Sequence, residues 1–148
     1  MLEIVLVLVI LGIIAAVAAP RWTGWTGDLD RAVDALAADL RHAQSLAMNR
    51  SSGYCITFSA DNYSISRSDG GGNGADSFAD GKTTRQLDGV SVESGPSEIH
   101  FFYPSGGAAG DCEADEPVNG QFNVTLQGRG ASATVTVQGQ TGYVEAER

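Results

Sequence analysis

At 148 residues the chain has room for one globular domain and one added segment. Nine Lys and Arg stand against eighteen Asp and Glu, a formal net charge of -9; a surface of that sign repels phosphate and argues against nucleic-acid binding. The two cysteines, Cys55 and Cys112, match no zinc motif and no Cys-x-x-Cys redox pair, which leaves a structural disulfide, suited to an oxidising compartment, or a pair of reactive thiols.

Residues 1–19, MLEIVLVLVILGIIAAVAA, carry one charge, Glu3. An apolar run of about 18 residues or more is long enough to cross a bilayer as a helix, and a helix is how a single segment satisfies its own backbone there. The run is also longer than the apolar core of a signal peptide. Glu3 either sits in the headgroup layer or waits for a cation inside an apolar assembly, where pairing offsets desolvation. Gly12 has weak helix propensity. Pro20 lacks an N–H and clashes with the carbonyl four residues back, so the two predict a loosened or kinked helix between them. Arg21, Trp22 and Trp25 mark a membrane–water interface, where Trp is favoured; covering the adjoining domain is the alternative role for both tryptophans.

Residues 1–22, M-L-E-I-V-L-V-L-V-I-L-G-I-I-A-A-V-A-A-P-R-W, resemble the N-terminus of type IV pilins and type II secretion pseudopilins. That pattern has a hydrophobic start, one Glu, an unbroken apolar run, a Gly, a small-residue segment and a Pro; Glu3, Gly12 and Pro20 fall at its relative spacings. In the family a short basic leader ending in Gly, then Phe-Thr, stands ahead of this stretch; those residues are not among the 148. The resemblance implies that residues 1–20 form the transmembrane and filament-core half of a long helix, held in the inner membrane before assembly. It further implies processing by a prepilin peptidase and methylation of the new terminus. Other subunits would pack through the same helices, with Glu3 paired to a neighbour's terminal amine.

From 28 to about 49 the pattern is that of an amphipathic helix. Leu29, Val33, Leu36, Leu40 and Ala43 recur at three- and four-residue steps, and Leu46 and Ala47 continue the stripe. Asp28, Asp30, Arg31, Asp34 and Asp39 lie off that stripe. Asp28 and Asp30 suit the positive end of the helix dipole, and Arg41, His42 and Arg50 the negative end. Ser51-Ser52-Gly53 stops the helix. After Gly53 the period changes to two. Short strands are predicted at 54–59, 63–67, 90–92, 99–103, 122–127, 133–138 and 143–145. With no helix between them, an antiparallel sheet follows. The expected organisation is thus 1–20, 21–50 as the amphipathic half of the helix, and 51–148 as the globular part. The fold class is α+β, one long N-terminal helix packed on antiparallel sheet.

The second half narrows the resemblance. D-L-R-H-A-Q-S-L-A-M-N-R at 39–50, then Y-C-I-T-F-S, F-Y-P-S-G at 102–106 and the closing T-G-Y-V-E-A-E make the chain similar to the GspH/FimT type, with MSHA-type minor pilins also similar. This implies a non-enzymatic structural subunit of a type IV pilus or type II secretion pseudopilus, most often a minor one. It would be a single-pass inner-membrane protein with a periplasmic domain, later in a periplasmic or extracellular filament. A major pilin and a DNA-receptor minor pilin are the alternatives, the second disfavoured by the acidity.

The rest of the chain offers little chemistry. His42 and His100 have no partners at catalytic spacing, and no G-x-S-x-G, H-E-x-x-H or Walker pattern occurs, so no cofactor is expected. Gly71-Gly72-Asn73-Gly74-Ala75-Asp76-Ser77-Phe78 fits one copy of a calcium-binding nonapeptide, but that repeat works by stacking, and a flexible loop is predicted instead. Asp111, Glu113, Asp115 and Glu116 around Cys112 are likewise read as a solvated acidic loop rather than a hard-cation site, so no metal site is expected. Cys55 and Cys112 are expected to bond, tying the first strand to that loop.

Overall fold

Helix α1 runs Gly27–Arg50, one residue beyond the predicted 28–49 at each end. It buries Leu29, Val33, Leu36, Ala37, Leu40, Ala43 and Ala47 and ends where Ser51 turns to a φ of 55°. The computed structural model describes residues 27–68 and 73–147, with Val7 and Ile10 ahead of them. Glu3, Gly12, Pro20, Arg21, Trp22 and Trp25 lie outside the described residues.

Ten strands follow α1: β1 Gly53–Phe58, β2 Asn62–Ser68, β3 Asn73–Ala75, β4 Thr84–Gln86, β5 Ser91–Ser94, β6 Glu98–Phe101, β7 Ala108–Ala109, β8 Gln121–Gly128, β9 Ala131–Gln138 and β10 Val144–Glu147. They form two antiparallel sheets. The first has the order β3-β2-β1-β6-β7, with β4 also paired to β2; the second has the order β10-β9-β8-β5. All seven predicted strands are present, with ends shifted by at most two residues. Three further strands, β3, β4 and β7, were not predicted. The flexible loop expected at 71–78 is corrected over 73–78: β3 pairs with the end of β2, Ser66 opposite Ala75, and Phe78 is buried.

Period-two alternation decides which side chains meet the helix. Tyr54, Ile56, Tyr63, Ile65, Ile99 and Phe101 from the first sheet, and Val124, Leu126, Val135, Val137 and Val144 from the second, join the apolar stripe of α1 in one core. The helix packs against β1 and β6 of one sheet and β8, β9 and β10 of the other. Backbone bonds stitch the sheets together at two places. Ala60 and Asp61, in the β1–β2 turn, accept from Val92 and Leu87; Gly139, after β9, accepts from Ala108 of β7. The longest hairpin, β8–β9, closes through Arg129 and Gly130, both at positive φ (47° and 86°), the two-residue turn whose twist matches the strands it joins.

Gly53 illustrates how tightly β1 is set against β6. A Cβ added there would collide with Nε2 of His100, a side chain only 6% exposed. Gly53→Ala should therefore destabilise the domain by about 1–3 kcal/mol, as overpacking does. A lowered urea midpoint with an unchanged denaturant slope checks this. An unchanged midpoint would mean that the imidazole moves aside.

Candidate functional site

The polar groups of α1 hold the helix to both sheets. Asp39, off the apolar stripe in the helical pattern, is nonetheless 5% exposed. Its carboxylate accepts from Tyr63 Oη at 2.8 Å and from Arg85 Nε and Nη2 at 3.0 and 3.2 Å. A charge can stay in this position because the guanidinium fork meets both carboxylate oxygens. Arg85 reaches on to Asp80 at 2.9 Å and lies 5.5 Å from the centroid of the Phe78 ring. Phe78 meets Tyr63 edge-on, with centroids 5.5 Å apart. Burial, reinforced by the negative Asp39, pushes the Tyr63 phenol well above its usual range, so it remains a donor. The hydrogen bond to Asp39 likewise raises Arg85. The signal in the sequence was the position of Asp39, beside Leu36 and Leu40 at the margin of the apolar stripe.

At the far end of α1, Arg50 pairs with Asp76 at 3.2 Å, and Tyr54 Oη donates to the same carboxylate oxygen at 2.9 Å. The second oxygen accepts from Ser77 N at 2.7 Å. Burial works against the charge on Asp76, but these donors and Arg50 outweigh it and hold the carboxyl below its ordinary range. The aspartate of the nonapeptide-like segment is thus engaged by protein groups on both oxygens. Between these ends, Gln44 Nε2 donates to the carbonyls of Gly106 and Thr141, at 3.1 and 2.8 Å, and Arg41 Nη2 donates to that of Val144 at 3.0 Å. One helix face therefore grips the loops that close both sheets.

The outer face of the first sheet is a second polar cluster. Cys55 lies opposite His100 and Thr57 opposite Glu98 in the β1–β6 register, so all four leave the sheet on one side. Cys55 is bonded to Cys112, with Cα atoms 5.7 Å apart, which is ordinary disulfide spacing. The acidic loop is thereby laid over this face. Glu98 Oε2 accepts from Cys112 N at 3.2 Å. His100 stacks against Phe102, centroids 4.3 Å apart, and burial pushes its imidazole down, toward the neutral form. A backbone hydrogen bond with Ala114 and the charge of Asp111 oppose that shift without overcoming it.

The site residues read from residues 1–25 are not brought into view by the described structure, in which no helix is long and apolar enough to cross a membrane. Comparison with known proteins gives a family and a fold. A family described as Type II transport protein GspH matches residues 32–141. No curated protein matches the chain. Among solved structures, the type IV minor pilin FimU of Pseudomonas aeruginosa is similar at 14% identity, with 84% of this chain and 92% of that one covered and a TM-score of 0.59. The minor pseudopilin EpsH from the type II secretion system of Vibrio cholerae is similar at 11% identity, with 82% and 94% covered and a TM-score of 0.61. At such identities the likeness is one of fold: an N-terminal helix laid across antiparallel sheets.

Proposed function

The chain belongs to the GspH family of type II transport proteins, and from that membership we propose that it is a minor subunit of a type IV pilus or of a type II secretion pseudopilus. The observation that carries this reading is the family match over residues 32–141, which runs from the first turns of α1 to the turn between β9 and β10. Its partners are other pilin or pseudopilin subunits, and its place is a periplasmic, filament-associated one. The fold supports the role: the polar side chains of α1 serve to fix the helix to its domain, as a subunit carried on its helix requires.

The finer reading concerns residues 1–25. The apolar run anchors the chain in the inner membrane and then enters a filament core; Arg21, Trp22 and Trp25 stand at the interface, and Gly12 to Pro20 loosens or bends on packing. Glu3 pairs with a neighbouring subunit's terminal amine exposed by a prepilin peptidase. What supports this is the spacing of Glu3, Gly12 and Pro20, together with the cost of leaving a carboxylate unpaired in an apolar core.

Sheared filaments, or pseudopili assembled by overexpression, should contain the tagged chain in small amounts beside a major subunit, and its deletion should lower assembly or secretion. A chain absent from filaments, with assembly and secretion unaffected by deletion, would refute the minor-subunit role. Glu3→Ala and Glu3→Gln, compared in a processed precursor, should leave membrane insertion intact and reduce incorporation. Normal incorporation of both would remove Glu3 as the assembly determinant without touching the rest.

A further inference from the structure

We propose that the end of the domain at the C-terminus of α1 is a docking surface for a different protein of the filament, one that presents an apolar centre ringed by Lys and Arg. This rests on the minor-subunit reading above and adds the chemistry of the partner. Among the described residues from α1 onward, the exposed large hydrophobic side chains are Met48, Tyr103, Val118 and Tyr143. They come from four separate segments, and the fold gathers those segments at one end. A Cβ on Gly106 would meet Met48, one on Gly142 would meet the Gly106 carbonyl, and one on Gly107 would meet Pro117. The last turns of α1 and the loops that carry Tyr103, Val118 and Tyr143 therefore abut. Exposed hydrophobics scattered singly are ordinary; a concentrated group marks an interface.

The platform beneath these side chains is held in place. Gln44 Nε2 donates to the carbonyls of Gly106 and Thr141. Val118 N donates to the Ala108 carbonyl, and Ala108 N to that of Gly139. A surface ordered before binding loses little freedom on docking. Tyrosine supplies a large contact area on two rotatable bonds, and methionine adapts its shape to a partner.

Charge selects the occupant. Residues 103–110, 117–124 and 138–143 hold no charged side chain. The loop between the first two stretches carries Asp111, Glu113, Asp115 and Glu116, all exposed, and Glu145, also exposed, stands two positions beyond Tyr143. No Lys or Arg occurs between Arg85 and Arg129. The arginines in the second half of α1 are engaged by the Val144 carbonyl and by Asp76. An apolar centre inside an acidic rim is complementary to an apolar centre inside a basic one. A second copy of this chain does not fit: the patch meeting itself would set acidic rim against acidic rim, on chains that each carry -9. The bilayer does not fit either. With 24 residues in α1, the patch stands about 36 Å along the helix from the end that residues 1–26 join, and an acidic rim is repelled by anionic lipid.

The test uses the full chain in cells that assemble the filament, with a photo-crosslinking amino acid in place of Tyr103 or Tyr143. The control position is Gln127, exposed at the other end of the domain, where Gly128 meets Leu29. Chain recovered in filaments should crosslink from 103 and 143 to one other filament subunit, and Gln127 should not give that product. Mass spectrometry of the joined peptide should place Lys or Arg beside apolar residues. Glu113→Lys with Glu116→Lys, two exposed side chains, should lower the yield by about tenfold or more, and Val118→Ser should lower it too, with unchanged urea midpoints showing that both variants fold. Incorporated chain that crosslinks at neither position, joins a second copy or lipid, joins a peptide without basic residues, or ignores the charge reversal would overturn the inference and leave the minor-subunit role standing. The identity of the wild-type crosslink decides even if a variant fails to fold. A chain absent from filaments removes that role and this inference together.

Discussion

Arg85→Met should destabilise the domain by about 3–5 kcal/mol, the cost of removing one partner of a buried ion pair. The methionine keeps much of the side-chain volume, so the loss is electrostatic. Among the described residues Asp39, 5% exposed, would keep only the Tyr63 hydroxyl as a side-chain donor, too little for a carboxylate out of water. The contacts of Arg85 to Asp80 and to the Phe78 ring go with it, so the segment around β4 should loosen first, and hydrogen exchange there should quicken ahead of global unfolding. The triple variant Asp39→Leu, Arg85→Met, Tyr63→Phe removes the buried members of the network and leaves only Asp80, which is exposed, without its partner; it should recover most of the loss, since apolar replacements of buried ion pairs are often neutral or better. Urea denaturation followed by far-ultraviolet circular dichroism reads all three states. A single variant as stable as wild type would mean that water reaches Asp39 readily.

Cys55→Ser, or Cys112→Ser, should cost about 4 kcal/mol in the chain-entropy account, because the bond spans 57 positions. The comparison belongs in oxidising buffer, and wild type in reductant should fall by a similar amount. Intact mass of the native chain, two hydrogens below the thiol form, establishes the bond itself. A serine variant that loses no more than a surface substitution does, about 0.5 kcal/mol, would show that the backbone bond to Glu98 and the packing of the acidic loop already close that loop.

The elements legible in the sequence are those whose own pattern is strong. Leu29, Val33, Leu36 and Leu40 step along α1 with helical spacing, and β8 and β9 alternate Val and Leu with Thr, Asn and Gln, so each buries one face whatever its surroundings. β3, β4 and β7 have two or three residues each and no period; pairing with an already formed strand creates them. The burial of Asp39 was not legible for a related reason. The helical pattern sets it off the apolar stripe, and the partner that lets it be buried, Arg85, lies 46 residues away. The polar face around Cys55 was half legible: two cysteines in an acidic chain suggested their bond, but only the register of β1 with β6 sets His100 and Glu98 beside it.

The way α1 is clasped has a mechanical consequence. The helix packs on strands of both sheets, and Asp39, Arg41, Gln44 and Arg50 fasten it at separate heights to Arg85, Val144, Gly106 with Thr141, and Asp76. Traction on the helix from its N-terminal end cannot peel the domain away one bond at a time. It must drive the whole seam in shear, with the apolar stripe and these fastenings loaded together, so the force needed to strip the domain from its helix is set by their sum rather than by the weakest among them.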